Sequence, residues 1–266
     1  MKKFLPAILF LLFINATGQN SFQKTISTVN NEFAASAAAT KDGGYILAGD
    51  IYVASTNSDM YIVKLNAQGD PEWDKSIDGT QYDRATKIIQ TKDGGYAVAG
   101  NSGDNRGTYM RLVKLDKNGN VQWSKYYSAN KYNGATFVVQ TPDGGYALGG
   151  YVQTYNNGSA GFLIKTDGSG NVTWSKRIFD ISFYPSIQAL VNTSDGGFAA
   201  VLNARTTNSY YDMYLVKLTG TGGFQWARSI GGASTDYPKF VLQTADKGYL
   251  FGGSSFSFSS ASQDMF

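Results

Sequence analysis

The chain has 266 residues, with 31 Gly, 5 Pro and 14% aromatic residues, and it contains no His and no Cys. Without His the usual general base, the commonest zinc ligand and any Ser-His-Asp or Cys-His relay are excluded. Without Cys so are thiolate nucleophiles, iron–sulfur ligation and disulfides. Twenty-three Lys and Arg stand against 20 Asp and Glu, too even a balance for the concentrated basic stripe that nucleic acid requires. Glycine shows no triplet period and Tyr and Phe are abundant, which excludes collagen and disorder and points to strands joined by tight turns.

The N-terminus reads as an export signal. Lys2 and Lys3 precede an apolar run from Phe4 to Ile14, broken only by Pro6, and Ala16-Thr17-Gly18 offers small residues for cleavage. The domain reading is therefore a signal peptide over 1–18 and one folded domain over 19–266. The run of 11 residues falls short of the ~20 needed by a membrane-crossing helix. The expectation is a secreted or outer-surface protein with no transmembrane segment after cleavage. Losing two lysines leaves 21 cations against 20 acids, a net charge of +1.

Self-comparison then dominates the reading. Trp73, Trp123, Trp174 and Trp226 are separated by 50, 51 and 52 residues, and Phe22 lies 51 before the first. A second ladder is Thr40-Lys-Asp-Gly-Gly-Tyr45, Thr91–Tyr96, Thr141–Tyr146, Thr193–Phe198 and Thr244-Ala-Asp-Lys-Gly-Tyr249. A third is Tyr61-Ile-Val-Lys-Leu65, echoed at Arg111–Leu115, Phe162–Thr166 and Tyr214–Leu218. Each unit resolves into four short strands, a to d, with b apolar throughout (Gly95–Gly100) and the Trp on d. A four-stranded unit of about 50 residues is a propeller blade. The fold class expected is all-β, a β-propeller of four-stranded antiparallel blades.

In the a–b turn, Asp is expected to form an Asx-turn. The second Gly (44, 95, 145, 197, 248) never varies within the chain, while Lys247 replaces the first. The second Gly is therefore expected to hold the positive φ of a type I turn closing into a G1 bulge. The c–d turn keeps Gly69, Gly119, Gly170 and Gly222 four residues before each Trp.

The pattern Trp-x-Lys-Ser-Ile-x-Gly-x-x-x-Asp, then Thr-x-Asp-Gly-Gly-Tyr-x-x-x-Gly, then Lys-Leu-x-x-x-Gly-x-x-x-Trp, is similar to the seven-bladed β-propeller repeat family of bacterial secreted proteins. It resembles quinoprotein-like propellers more loosely. The resemblance covers nearly all of 22–266 and implies an exported propeller without implying an activity.

Candidate chemistry is sparse. Lys64, Lys114, Lys165 and Lys217 recur in every complete blade, so a structural role is expected, with the stem covering an aromatic ring. Lys24, Lys75, Lys125, Lys176 and Arg228 sit on the outermost strand, where lysine discourages edge pairing. Asp42, Asp93, Asp143, Asp195 and Asp246 read as turn residues rather than metal ligands, and the Asp116–Asn120 loop lacks a calcium register. Asp83 and Asp236, with Glu32 and Asn133 in matching places ten residues after the ladder aromatic, read as repeat features. No metal, cofactor or catalytic residue is assigned.

Function is expected on the variable b–c loops (50–58, 101–108, 151–160, 203–211, 254–263) and the d–a loops, because loops on a rigid scaffold carry binding. Candidate ligand-binding residues are Tyr52, Tyr82, Tyr132, Tyr155, Tyr184, Tyr210, Tyr211 and Tyr237, since Tyr offers area and a hydrogen bond at low entropic cost. The reading is a non-enzymatic binding scaffold for an extracellular protein or polysaccharide. Its alternatives are a glycan-active hydrolase or lyase using channel carboxylates, and a quinoprotein-like propeller.

The last residues, Asp264-Met-Phe266, align with Asp59-Met-Tyr61 and Asp212-Met-Tyr214 at the opening of strand c. The expectation is four whole blades and an incomplete fifth in a partial sequence. Phe22–Ile26 would be a lone d strand intended for the last blade of a closed ring.

Overall fold

The computed structural model describes residues 22–26, 28 and 30–265, apart from 55–56, 80–81, 105, 154–157, 182–184, 206–209 and 258–263. The expected signal peptide over 1–18 lies outside the described residues, and among these no helix is long and apolar enough to cross a membrane.

The described residues form strands and turns only. The first blade is β1 (Asn31–Ala39), β2 (Tyr45–Ala54), β3 (Asn57–Leu65) and β4 (Pro71–Ile77). The second is β5 (Tyr82–Gln90), β6 (Tyr96–Asp104), β7 (Gly107–Leu115) and β8 (Val121–Tyr127). The third is β9 (Asn133–Gln140), β10 (Tyr146–Gln153), β11 (Ser159–Thr166) and β12 (Val172–Ile181). The fourth is β13 (Ser186–Asn192), β14 (Phe198–Arg205), β15 (Tyr211–Leu218) and β16 (Phe224–Ile230). The fifth sheet holds β17 (Asp236–Gln243), β18 (Tyr249–Ser255) and the two-residue β19 (Asp264–Met265). Within each blade neighbours pair antiparallel in chain order, and a single parallel bridge, Ser58 to Tyr82, joins the first two blades into one eight-stranded sheet. The fold is an all-β propeller. Strands b and c run further than expected, so Tyr151 and Ser159 belong to β10 and β11 rather than to a loop.

Blades pack face to face, with the first strand of each against the first strand of the next, which makes the a strands innermost. The core is therefore shared between blades: Ile46, Met60 and Ile62 of the first blade pack with Ile88, Val98 and Val113 of the second. Burying such a side chain fully stabilises by about 1.5–3 kcal/mol, so the b and c strands are apolar on both faces. Hydrogen bonds cross the same interfaces. Thr86 donates to the Ala99 carbonyl in its own blade and to the Ala135 carbonyl of the next at 3.0 Å. The turn N–H of Lys41, Lys92 and Ser194 donates to Gln90, Gln140 and Gln243 of the following blade at 2.9, 2.8 and 2.7 Å. The third blade has Pro142 in that place, with no N–H to give. Its neighbour carries Asn192, which donates to the Gln140 carbonyl at 2.9 Å and leaves Oδ1 buried without a hydrogen-bond partner.

The Trp ladder works between blades as well. Trp73, Trp123, Trp174 and Trp226 meet Tyr96, Tyr146, Phe198 and Tyr249 of the next blade edge to face, at 5.8, 5.8, 5.8 and 5.7 Å between ring centroids. Phe22 meets Tyr45 in the same way at 5.6 Å. The outer-strand cations serve the same contact, with the Lys125 and Lys176 stems lying on turn glycines Gly170 and Gly222 of the next blade.

The repeated lysine is structural, but through its ammonium rather than its stem. Lys64, Lys114, Lys165 and Lys217 are almost fully buried, and each Nζ reaches the turn carboxylate of its own blade (Asp42, Asp93, Asp143 and Asp195) at 2.8–2.9 Å. Each also donates to the carbonyl of the following residue at 2.8–3.0 Å. The hydrogen bond from Lys165, then that from Thr141, brings the Asp143 pKa down to about 2. Such a carboxylate contributes stability above the ordinary Asp range, and that contribution is lost as pH falls toward 2.

The positive φ lies one residue earlier than expected. Gly43, Gly94, Gly144 and Gly196 have φ of 82°, 84°, 86° and 78°, and Lys247 takes the same conformation at 68°. The second Gly is invariant for a different reason: a Cβ on Gly95 would run into the Leu115 carbonyl and lie 2.6 Å from Lys114 Nζ, and Gly44, Gly145 and Gly197 are alike. The turn needs a left-handed residue at one position, which Lys tolerates at a cost, and an absent side chain at the next, which nothing else supplies.

The fifth sheet has the opening of strand c at β19, in the expected register, and no contact of blade-to-blade extent joins it to the first blade among the described residues. Phe22–Ile26 is not a d strand. It lies against the first blade where a d-strand Trp would lie, without strand pairing, since among the described residues no c strand runs beside it. In urea unfolding, Gly95→Ala is expected to lose more than about 3 kcal/mol, and Gly94→Ala, with open space but positive φ, about 1 kcal/mol.

Candidate functional site

The corner between strands d and a is pinned by a buried polar residue in three blades. Asp83, Asn133 and Asp236 are all fully buried. Asp83 accepts from Arg111 at 2.7 Å and from Ser102; Arg111, itself buried, donates on to the Asp78 carbonyl at 3.0 Å and to Ser124 at 3.1 Å. Asn133 donates to the Thr108 carbonyl and accepts from the Ala129 N–H, both at 3.1 Å. Asp236 accepts from Ser255 and from Ser257.

The fourth blade breaks this pattern. Trp174 and Thr193 are 19 residues apart, where the other Trp–Thr pairs are 18 apart, and Pro185 stands eight residues before Thr193, where Asp83 and Asn133 precede Thr91 and Thr141. Proline offers no side-chain polar atom to hold the corner. Phe179 instead takes φ of 53° and meets Tyr214 edge to face at 5.2 Å between ring centroids. Positive φ at a bulky residue stores about 1–3 kcal/mol, and such strain clusters at functional sites.

A cleft of about 490 Å³ opens at this junction of the third and fourth blades. Its walls are Tyr132 and Thr136 from the start of the third blade, Tyr151 and Gln153 from β10, Ser159 from β11, and Ser186 and Gln188 from β13. Among the described residues the lining contains two phenol rings, two carboxamides and three hydroxyls, with no ionisable acid or base other than the phenols. Gly134 makes room for it: a Cβ there would collide with the Tyr151 ring, while the matching places in the other blades carry Phe33, Arg84, Ser186 and Tyr237. The rim is held in place, because Asn130 donates to the Gln153 carbonyl at 2.6 Å and Gln188 donates to Asn203 at 3.1 Å.

Of the tyrosines singled out in the sequence, Tyr132 lines this cleft, exposed, with Lys131 Nζ 5.2 Å from its ring centroid. Tyr52 lies at the junction of the first two blades, on Phe33 at 5.7 Å and hydrogen-bonded by Arg84 at 2.7 Å. Tyr211 and Tyr237 pair at 5.9 Å between the fourth and fifth blades. Tyr82 and Tyr210 are exposed, and Tyr155 and Tyr184 lie outside the described residues. Tyr52, Tyr132, Tyr211 and Tyr237 thus fall at three different blade junctions. Tyr151, Gln153 and Ser159 of the cleft fall inside the 151–160 segment expected to carry function, whereas Thr136, Ser186 and Gln188 lie on strands that the sequence does not single out. The usable signal was the extra residue before Thr193 and the loss of the polar pin at Pro185.

Beside Tyr52, Asp50 is buried on β2 with Arg84 Nε 3.4 Å away. Burial pushes its carboxyl up, against the pull of Arg84. Among the described residues no cluster of three or more potential metal ligands occurs.

No family model matches the chain, and no curated protein matches it. Among solved structures it is similar to a protein of unknown function from Dyadobacter fermentans, with a TM-score of 0.61 and 15% identity over 84% of this chain and 75% of that one. It is also similar to a thermostable family-43 glycoside hydrolase, with a TM-score of 0.51 and 10% identity over 87% of this chain and 86% of that one. At these identities the likeness shows the fold, a propeller.

Removing one partner of a buried ion pair strands the other charge. Asp83→Ala is expected to cost about 3–5 kcal/mol in urea unfolding, and Asp83→Ala with Arg111→Met markedly less than the sum of the singles.

Proposed function

We propose that this chain is an exported propeller that binds glycans in the cleft between its third and fourth blades. The observation that carries the reading is the break in an otherwise regular repeat at that junction, where the corner pin is lost, Phe179 is strained and a cavity opens. Its volume lies in the range of small-ligand sites, about 300–1,000 Å³. Phenol faces stack on the apolar face of a sugar ring, and carboxamides and hydroxyls match its hydroxyl groups. The repeat's resemblance to the secreted seven-bladed family and the basic, apolar start of the chain support export and an outer-surface location. The sequence reading left protein and polysaccharide open as partners. The concave, uncharged, Tyr-lined form of the cleft favours polysaccharide.

A second reading, a glycan-active hydrolase, has two supports. One is the fold likeness to a family-43 glycoside hydrolase. The other is Asp50, a buried carboxyl pushed up by desolvation, the environment a general acid needs. Hydrolysis requires a second carboxyl within roughly 5–9.5 Å of the first.

Calorimetric titration with neutral plant and bacterial oligosaccharides, followed by product analysis after long incubation, tests both readings. Binding without product, weakened at least about tenfold (~1.4 kcal/mol) by Tyr151→Ala and by Gln188→Ala but not by Asp50→Asn, is the expected result. Product release abolished by Asp50→Asn establishes the hydrolase instead, and equal binding by all variants removes the cleft from the account.

A further inference from the structure

Three departures from the repeat meet at the junction of the first and second blades, apart from the cleft between the third and fourth. On β2, Asp50 stands where the next three blades carry Asn101, Tyr151 and Asn203, and Tyr52 stands where they carry Gly103, Gln153 and Arg205. On β5, Arg84 stands where the third and fourth blades carry Gly134 and Ser186. These side chains come together although Arg84 lies 32 residues from Tyr52 in the chain.

The guanidinium is held on one side and open on the other. Arg84 Nε lies 3.4 Å from the Asp50 carboxylate, and Nη2 donates to the Tyr52 hydroxyl at 2.7 Å. Asp50 is buried, whereas 55% of the Arg84 side chain is exposed. The facing carboxylate oxygen, Oδ2, takes no hydrogen bond among the described residues, so Arg84 is what balances this buried charge. Nη1 makes no hydrogen bond among the described residues, which leaves part of the donor fork for an outside acceptor. Beside it stands an apolar wall. Phe33 pairs opposite Asp50, so its ring lies on the same face of the sheet, toward the second blade. It is 57% exposed and meets Tyr52 edge to face at 5.7 Å.

We propose that this junction binds an acidic sugar, a uronic acid unit of a polysaccharide, with its carboxylate on the Arg84 guanidinium and its ring against Phe33. A planar fork fixed in one geometry suits a carboxylate and loses little entropy on binding it. An aromatic face beside the charge takes the apolar face of a pyranose. An acidic peptide fits less well: Ser58 and Tyr82 already pair across the junction, so the main chain there offers no edge for strand addition. Asp50 is a positioning residue that acts through Arg84. The site is separate from the uncharged cleft and does not depend on it.

The probes are trigalacturonate, its methyl ester and a triglutamate peptide, titrated calorimetrically into the full chain. Saturable binding of trigalacturonate is expected, with the methyl ester, which keeps the rings and loses the charge, at least about tenfold weaker. That comparison leaves the protein unaltered, so it decides the matter even where a variant fails to fold. Arg84→Gln and Arg84→Lys should each lose at least about tenfold, since a point charge does not replace the fork. Phe33→Ala should weaken binding several-fold, and Tyr151→Ala should leave it unchanged. The Arg84 Nε–H resonance should shift on titration, and in Asp50→Asn it should collapse onto those of freely rotating arginines. Absence of trigalacturonate binding overturns the proposal, and so does equal binding of acid and ester. Loss of binding in Tyr151→Ala places the sugar in the other cleft, and tighter binding of triglutamate makes the ligand a peptide; either result overturns it too.

Discussion

One buried ammonium in each of the first four blades ties the repeat together. The Lys side chain leaves strand c, passes inside the sheet and ends on the turn between strands a and b, where a carboxylate and a main-chain carbonyl receive it. The ion costs desolvation energy, and only the close carboxylate and the carbonyl offset that cost. The consequence reaches into the backbone. The residue under the ammonium must be Gly, since a methyl group at Gly95 would collide with both Lys114 Nζ and the Leu115 carbonyl. Three strands are thereby fixed in register at one end, and the Tyr that follows the turn is presented to the Trp of the preceding blade. Local turn chemistry and packing between blades are thus one mechanism.

Much of this was legible in the sequence because repetition makes a constraint visible without an alignment. The Trp ladder, the Thr-x-Asp-Gly-Gly turn and the strand-c lysine gave the blade and its four strands, and they marked the fifth sheet as short of strands. The roles of the two turn glycines were interchanged for a physical reason. Invariance within the chain points to positive φ at the second glycine, yet Lys247 shows that a left-handed residue need not be Gly. Absolute exclusion of a side chain is a packing constraint that depends on where Lys Nζ ends, and spacing does not report that. The lysine itself was read as structural while its partner was missed, because Lys114 and Asp93 lie 21 residues apart and meet only once the sheet is formed.

The candidate site was less legible. Tyrosines in variable loops were a reasonable place to look, and Tyr132 does line the cleft, but loop membership was misjudged because strands b and c extend further than their apolar cores. The cleft depends on an irregularity rather than on a motif: one added residue, a proline where a carboxylate or amide should pin the corner, and a glycine whose bare α-carbon leaves room for the Tyr151 ring. In a repeat protein regularity describes the scaffold, so departures from it are where function is to be sought. The a–b turns of the first four blades carry the same lysine–aspartate pair, while the b–c and d–a connections diverge.

The central claim is that the lysine and the turn aspartate act as a unit, and a double-mutant cycle measures this directly. Lys114→Met, Asp93→Asn and the pair of changes together are compared with the unaltered chain by urea unfolding at neutral pH. The account predicts that the effects are non-additive by at least about 1 kcal/mol, with the double variant less destabilised than the sum of the singles. Effects that add within roughly 0.3–0.5 kcal/mol would contradict it.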